Sequence, residues 1–253
     1  MDIWLPPKPA IIRPASCLRP ALARPRNLPL ELAPFGIIAG FRAAGFGFAN
    51  VSFNDFASIA SSGTTFDFGV RNLGPANGLS QVLVMAACFK VDGATAITVA
   101  SSTIGGASFD NSLTAQSGLV SLSVTAAHLR KTTSANSANI TIVTNVTCNN
   151  VRIAVFRLNN LTSITPDDTV TANNNTTSTS GVIDTVNPGI LLLCSAASSA
   201  TINTLSGVAT MDVATGNPFS AGHSQQLATQ SNRAVSSTSS TANPHALVGQ
   251  TWH

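Results

Sequence analysis

The sequence predicts an all-β chain, a β-sandwich or jelly-roll-like domain carried behind an extended proline-rich N-terminal arm. Three observations predict it. From Thr64 onward, short apolar runs recur between clusters of Gly, Asn, Asp, Ser and Thr, at the spacing of strands and turns. Some of these runs alternate with period two and others are apolar throughout, while a helical period is nowhere sustained. Eight of the 13 prolines fall within the first 34 residues.

The arm comes first. Pro6, Pro7, Pro9, Pro14, Pro20, Pro25, Pro29 and Pro34 fix φ and push their predecessors to extended backbone, so residues 1–34 read as polyproline-like or irregular. A solvated linker would be polar. This one carries Ile3, Trp4, Leu5, Ile11, Ile12, Leu18 and Leu22. It also holds the entire formal charge of +3, with Lys8, Arg13, Arg19, Arg24 and Arg26 set against Asp2 and Glu31. Spaced charges without interleaved aromatics fit an acidic groove on a protein better than nucleic acid. The candidate docking residues are Trp4, Leu5, Pro6, Pro7, Lys8, Pro9, Ile11, Ile12 and Arg13. Residues 35–56, where Gly and Phe loosely alternate, read as glycine-punctuated strand or an aromatic connector, and the domain division sets a Gly/Phe-rich connector over 35–63 before a sandwich domain over 64–253.

Within that body, Phe66, Phe68 and Val70 alternate with Asp67 and Gly69. The unbroken run Val82–Phe89 is that of a strand covered on both faces, and Asp92-Gly93 signals a turn after it. Ile97 and Val99, Leu119–Val124, Ile140 and Ile142, and Val151–Leu158 continue the series. Val124–Lys131 is a modest helix candidate, and its β-branched flanks argue against it. Thr171–Ser180 reads as a polar loop. Gly189–Cys194 is a second buried run, and weaker strands fall near Val208–Val213, Ser220–Gln226 and Ala246–Trp252. The expectation is about nine strands with no exact internal repeat.

Composition narrows function. Charged residues make up only 9% and there is no Tyr. A surface of Ser, Thr, Asn, Ala and Gly suits contact with neighbouring subunits better than metabolic catalysis. His128, His223, His245 and His253 show no metal-ligand spacing and read as surface or loop histidines. Asp167-Asp168 follows Pro166 in a turn, where adjacent carboxylates point apart. No nucleophile elbow or phosphate-binding glycine loop occurs, so no catalytic residue, cofactor or metal is expected. Cys88 and Cys194 lie in apolar runs as small hydrophobes. Cys17 on the arm and Cys148 in a turn-like stretch are the candidates for an intersubunit disulfide outside the cell. The Asn-x-Thr/Ser triplets follow by chance from so much Asn and Thr. No apolar run is long enough for a membrane span, and Pro6, Pro7 and Pro9 break any signal-peptide core.

The opening Ile3-Trp4-Leu5-Pro6-Pro7-Lys8-Pro9-Ala10-Ile11-Ile12-Arg13-Pro14 resembles the opening of virion-associated proteins from tailed phages and prophages of alphaproteobacteria. The strand pattern of the body is similar too, through Val82–Phe89, Thr103–Gly106, Val151–Leu158, Pro166–Thr169 and the closing Ala246–Trp252. The resemblance implies a structural component of the virion, a capsid decoration or a tail or fibre part, assembled in the host cytoplasm. Its implied partners are other virion proteins and further copies of itself. The rival expectation is a receptor- or glycan-binding adhesin on the same particle.

Overall fold

The computed structural model describes residues 47–91 and 95–253. These form strands β1 (Asn50–Ile59), β2 (Gly63–Asn72), β3 (Gln81–Lys90), β4 (Val99–Ile104), β5 (Ala107–Ser108), β6 (Asn111–Leu119), β7 (Leu122–Lys131), β8 (Ser137–Cys148) and β9 (Asn150–Asn159). There follow β10 (Asp168–Asn174), β11 (Ser178–Thr185), β12 (Gly189–Ala197), β13 (Ile202–Ser206), β14 (Thr210–Val213), β15 (Phe219–Leu227), β16 (Gln230–Ser239) and β17 (His245–Trp252). No helix occurs among the described residues, as the all-β reading expects.

Four antiparallel sheets result. A large sheet orders β1-β9-β3-β7-β6 and its small companion β2-β8-β4-β5. A second large sheet orders β10-β17-β12-β15-β14 and its companion β11-β16-β13. In the first sandwich the pairings nest: β1 with β9, β2 with β8, β3 with β7. The second nests the same way, β10 with β17, β11 with β16, β12 with β15. Each is therefore a long antiparallel hairpin folded over into two sheets, the jelly-roll wrap. Strand for strand the two orders are the same, with the two-residue β5 as the one addition.

The register carries the duplication down to single residues. In the first large sheet Met85 lies between Ala154 and His128; in the second, Leu192 lies between Gln250 and His223. Aligning those rows matches Val124-Thr125-Ala126-Ala127-His128 with Phe219-Ser220-Ala221-Gly222-His223, and Phe156 with Trp252. So the chain contains a structural repeat, and the sequence expectation of none is corrected. Its local trace is five residues long, too short to stand out among the many Ser, Thr and Ala.

The two large sheets pack on one another. Between them lies a core that includes Leu83, Met85, Phe156, Leu192, Phe219 and Trp252. β3 meets β12, β7 meets β12 and β17, and β1 meets β15, an order that an approximate two-fold axis would generate. Ala115, Ala126, Ala154, Ala196, Ala221 and Ala246 face this layer, and such short side chains let the sheets come close. Two further cores fill the sandwiches themselves, one around Phe66, Val84, Ile140 and Ile153, the other around Val170, Leu191, Leu193 and Leu247.

This layering explains the unbroken apolar runs. In β3, Val82, Val84, Ala86 and Cys88 face the first sandwich's core, while Leu83, Met85, Ala87 and Phe89 face the layer between the large sheets. β12 divides the same way. Three other sequence readings change. The helix candidate Val124–Lys131 is strand β7, its eight central residues buried on both faces. The polar tract Thr171–Ser180 is the end of β10, a turn and the start of β11, which carries the chain from the second large sheet to its small companion; the Asn174 and Thr176 side chains bond there to the Ser178 carbonyl. The connector read over 35–63 gives way at Asn50, because β1 is an edge strand of the first large sheet. The strand count is seventeen among the described residues, against about nine expected; Asp168–Asn174, Ser178–Thr185, Ile202–Ser206 and Gln230–Ser239, rich in Ser, Thr and Asn, are among the strands not expected.

Candidate functional site

Trp4, Leu5, Pro6, Pro7, Lys8, Pro9, Ile11, Ile12, Arg13 and Cys17 lie outside the described residues. The chemistry that can be examined is in the two sandwiches, and most of it is buried.

Three histidines are core residues, which corrects the surface reading. His128 on β7 faces the layer between the large sheets, its Nδ1 3.2 Å from Gln250 Oε1 on β17. Facing a carbonyl oxygen, Nδ1 carries the proton and leaves Nε2 a bare acceptor with no partner. Burial lowers its pKa to about 3; the Gln250 bond opposes this and the Arg130 charge adds to it. His223, its repeat equivalent, crosses the same layer from the other side. Its ring meets Phe156 edge-on at 6.3 Å, and its Nδ1 sits 2.7 Å from Asp212 Oδ2. His245 lies inside the second sandwich, with Nε2 2.9 Å from Ser195 Oγ and 2.7 Å from Ser237 Oγ, which are 2.7 Å from each other. Its pKa is lowered to about 4 by burial, partly offset by the backbone of Thr176. Only His253 is partly exposed, with Nδ1 2.7 Å from Asp167 Oδ1.

A serine hydroxyl beside an imidazole is the geometry of a nucleophile and its base. Here Ser195, Ser237 and His245 are all fully buried, so no substrate carbonyl can reach Ser195 Oγ. The triad is a polar network of three mutually bonded side chains inside a core. Asp167 and Asp168 point apart, as their positions in the turn expect: Asp167 bonds His253, while Asp168 accepts from the backbone of Thr169 and Asp184.

Arg157 on β9 is a fully buried charge. It donates to the carbonyls of Leu73 and Gly74 on one loop and of Thr133 and Ala135 on another. Four carbonyls and no carboxylate surround it, and burial lowers its pKa. It is a clamp that closes one end of the first sandwich.

Cys148 is corrected as well. It ends β8 with no exposed surface, inside the first sandwich's core and against Cys88, so it cannot reach another subunit. The polar residues Thr147 and Asn149 around it suggested a turn; the strand in fact runs to Cys148, and the chain turns after it. Cys194 is buried and burial raises its pKa.

A cavity of about 440 Å³ opens where the end of β3 meets loops of the second sandwich. Phe89, Ala200 and Pro218 give it an apolar side; Asn150, Ser198, Thr201 and Ser240 give hydroxyls and an amide. Its loop is tied down, since Thr201 N–H donates to Ser240 Oγ at 3.1 Å and Asn243 Nδ2 to Ser199 O at 3.3 Å. Ser199 holds a left-handed backbone, φ 53°. Among the described residues no charged side chain lines the cavity.

No family model, curated protein or solved structure matches the chain. Site chemistry therefore stands on geometry alone. No cluster that could hold a metal is found among the described residues, and none of their helices could cross a membrane, there being none.

The outer faces of the small sheets complete the surface. On the second, Ser178-Thr238-Thr204 and Ser180-Ser236-Ser206 form rows across three strands. On the first, Thr65-Val143-Ser101 and Asp67-Thr141-Thr103 do the same. Asp67 is the single charge in these four rows. The sequence reading missed the rows because β13 and β16 were not seen as strands.

Proposed function

We propose that this chain is a non-enzymatic structural component of a tailed-bacteriophage particle, docked by its N-terminal arm and displaying two jelly-roll sandwiches. In this reading Trp4, Leu5, Ile11 and Ile12 bury against another virion protein or a neighbouring copy. The intervening prolines lower the entropy lost on ordering. Lys8 and Arg13 steer the encounter more than they set its strength. The observation that carries the reading is the nearly uncharged hydroxyl surface of both small sheets, which suits contact with neighbouring subunits and lacks the charges that guard open edges. Each large anchor adds about 1.5–3 kcal/mol before ordering costs, so three or four suffice to hold a subunit when several copies act together. The test is deletion of residues 2–34. The truncated chain is expected to be missing from purified particles; normal incorporation would remove the arm from the account.

The cavity beside Phe89 favours a second reading, an adhesin for a neutral glycan on the same particle. Its hydroxyls, amide and one aromatic face are the donors, acceptors and apolar plane that a sugar ring uses. Screening the full chain on a glycan array separates the two. Reproducible binding that Ser240→Trp abolishes supports the adhesin; a blank array leaves the structural role.

A further inference from the structure

The second sandwich holds Ser195 in a triangle of hydrogen bonds, and the matching place in the first holds sulfur. Met85 and Leu192 are repeat equivalents, and three residues further along their strands stand Cys88 and Ser195. Cys88 points from β3, in the large sheet, into the first sandwich's core. Cys148 ends β8, in the small sheet, and faces the same core. The backbone brings them together. Asn149 N–H donates to Phe89 O at 2.8 Å, Asn150 pairs with Phe89, and Val151 pairs with Cys88. This seats the β8–β9 corner on the end of β3, with both thiols in one core. Cys148 Sγ also lies 3.6 Å from Thr144 Oγ1.

We propose that Cys88 and Cys148 form an oxidisable dithiol site that closes to a disulfide, a covalent cross-link between the two sheets of the first sandwich. The oxidant is a small disulfide such as oxidised glutathione. The Cys148 thiolate attacks one of its sulfurs and expels a glutathione thiolate. The Cys88 thiol then gives its proton to solvent and displaces the second glutathione from Cys148. Two protein thiols are oxidised to one disulfide, and one glutathione disulfide is reduced to two thiols. Cys148 is the attacking group: it ends β8 beside exposed Thr147, and the neighbouring Cys88, the Thr144 hydroxyl and the Lys90 charge lower its pKa against the effect of burial, while that of Cys88 is raised. Access needs only a brief opening of the corner, because Cys148 lies between exposed Thr147 and half-buried Asn149. The reducing cytosol keeps the site open, and release from the cell lets it close.

The experiment uses the full chain incubated with oxidised glutathione, alkylated after denaturation and digested without reductant. The expected product is a peptide pair joining Cys88 to Cys148, with alkylation lost at those two cysteines and kept at Cys194. Closing so long a loop is expected to raise Tm by about 5–10 °C over the reduced protein. Cys148→Ser abolishes both readouts and Cys194→Ser leaves both. Should a variant fail to fold, the peptide map of the unaltered chain decides alone. Full alkylation of Cys88 and Cys148 after oxidation overturns the proposal, as does a linkage of either to another chain.

Discussion

The two sandwiches share a wrap and differ in what fills it. Between the sheets of the first lie Phe66, Phe68, Leu73, Ile140, Ile142 and Ile153, large apolar side chains with no exposure to speak of, and a pair of thiols. Between the sheets of the second the apolar set is smaller, and Ser195, Ser237, His245, Thr185 and Thr251 share the interior. The same connectivity thus tolerates either a dispersion-packed core or one partly held by hydrogen bonds, provided each polar group finds a partner. The difference also predicts how each half fails. The first should respond to lost volume and to its fully buried Arg157; the interior of the second should respond to protonation of His245.

Acid has the largest expected effect, through one histidine on the first large sheet and one inside the second sandwich. His128 and His245 have folded pKa values depressed to about 3 and about 4, below the ordinary 6.5. Stability from keeping them neutral is complete above pH 6.5 and drains as pH falls toward the folded values. Each group costs about 1.4 kcal/mol per pH unit in that window, so the pair removes about 5 kcal/mol between pH 6.5 and 4.5. Urea midpoints across that range should show the loss. His245→Asn should halve the histidine part of the slope; an unchanged slope would mean that the second core does not hold a neutral imidazole.

Next in size is the clamp of the first sandwich. Arg157→Met removes a buried guanidinium and leaves four carbonyls to find water, with an expected loss of about 3–5 kcal/mol. The same place in the repeat is His253, partly exposed and paired with Asp167. His253→Ala should cost under about 1 kcal/mol. Equal losses on chemical denaturation would break the asymmetry argued from burial.

How much of this was legible beforehand follows from the same contrast. Val82–Phe89 and Gly189–Cys194 announced themselves because both of their faces are buried, one in a sandwich and one between the large sheets. β16 and β13 did not, because they are rich in Ser, Thr and Asn, and such residues also make turns. The repeat was illegible for a different reason. Its halves keep a pattern of small residue, alanine and histidine in β7 and β15, but Cys88 answers to Ser195 and Ala154 to Gln250, so identity survives only where the two large sheets press together. The buried histidines were missed because position along a strand, which sets burial, depends on the register of a partner far away in sequence. The docking residues of the arm were read from composition, and composition remains their warrant.

Between the halves, the layer of large sheets offers a test of the repeat itself. Phe156 and Trp252 are equivalents, both fully buried in the same core. Phe156→Ala and Trp252→Ala should each cost about 3–5 kcal/mol, and similar amounts. A large loss for one and a small loss for the other, measured by urea unfolding, would show that the second-sandwich contribution to that layer is not equivalent to the first.

The smallest expected effect on stability tells most about assembly. Thr141 stands mid-row on the outer face of the first small sheet, and Ser236 mid-row on that of the second. Both side chains look outward from central strands, so Thr141→Lys and Ser236→Lys should each change stability by no more than about 0.5 kcal/mol. A lysine in a neutral, close-packed contact is another matter, because its charge must be desolvated without a partner. If subunits meet through these faces, one variant should lose self-association on sedimentation while the other keeps it, and the sensitive one names the docking sandwich. The second small sheet is the stronger candidate: its two rows hold only serine and threonine, whereas Asp67 already places a charge beside Thr141 on the first. Loss of association in Thr141→Lys alone would reverse that assignment, and loss in neither would move the contact to the strand edges or the arm.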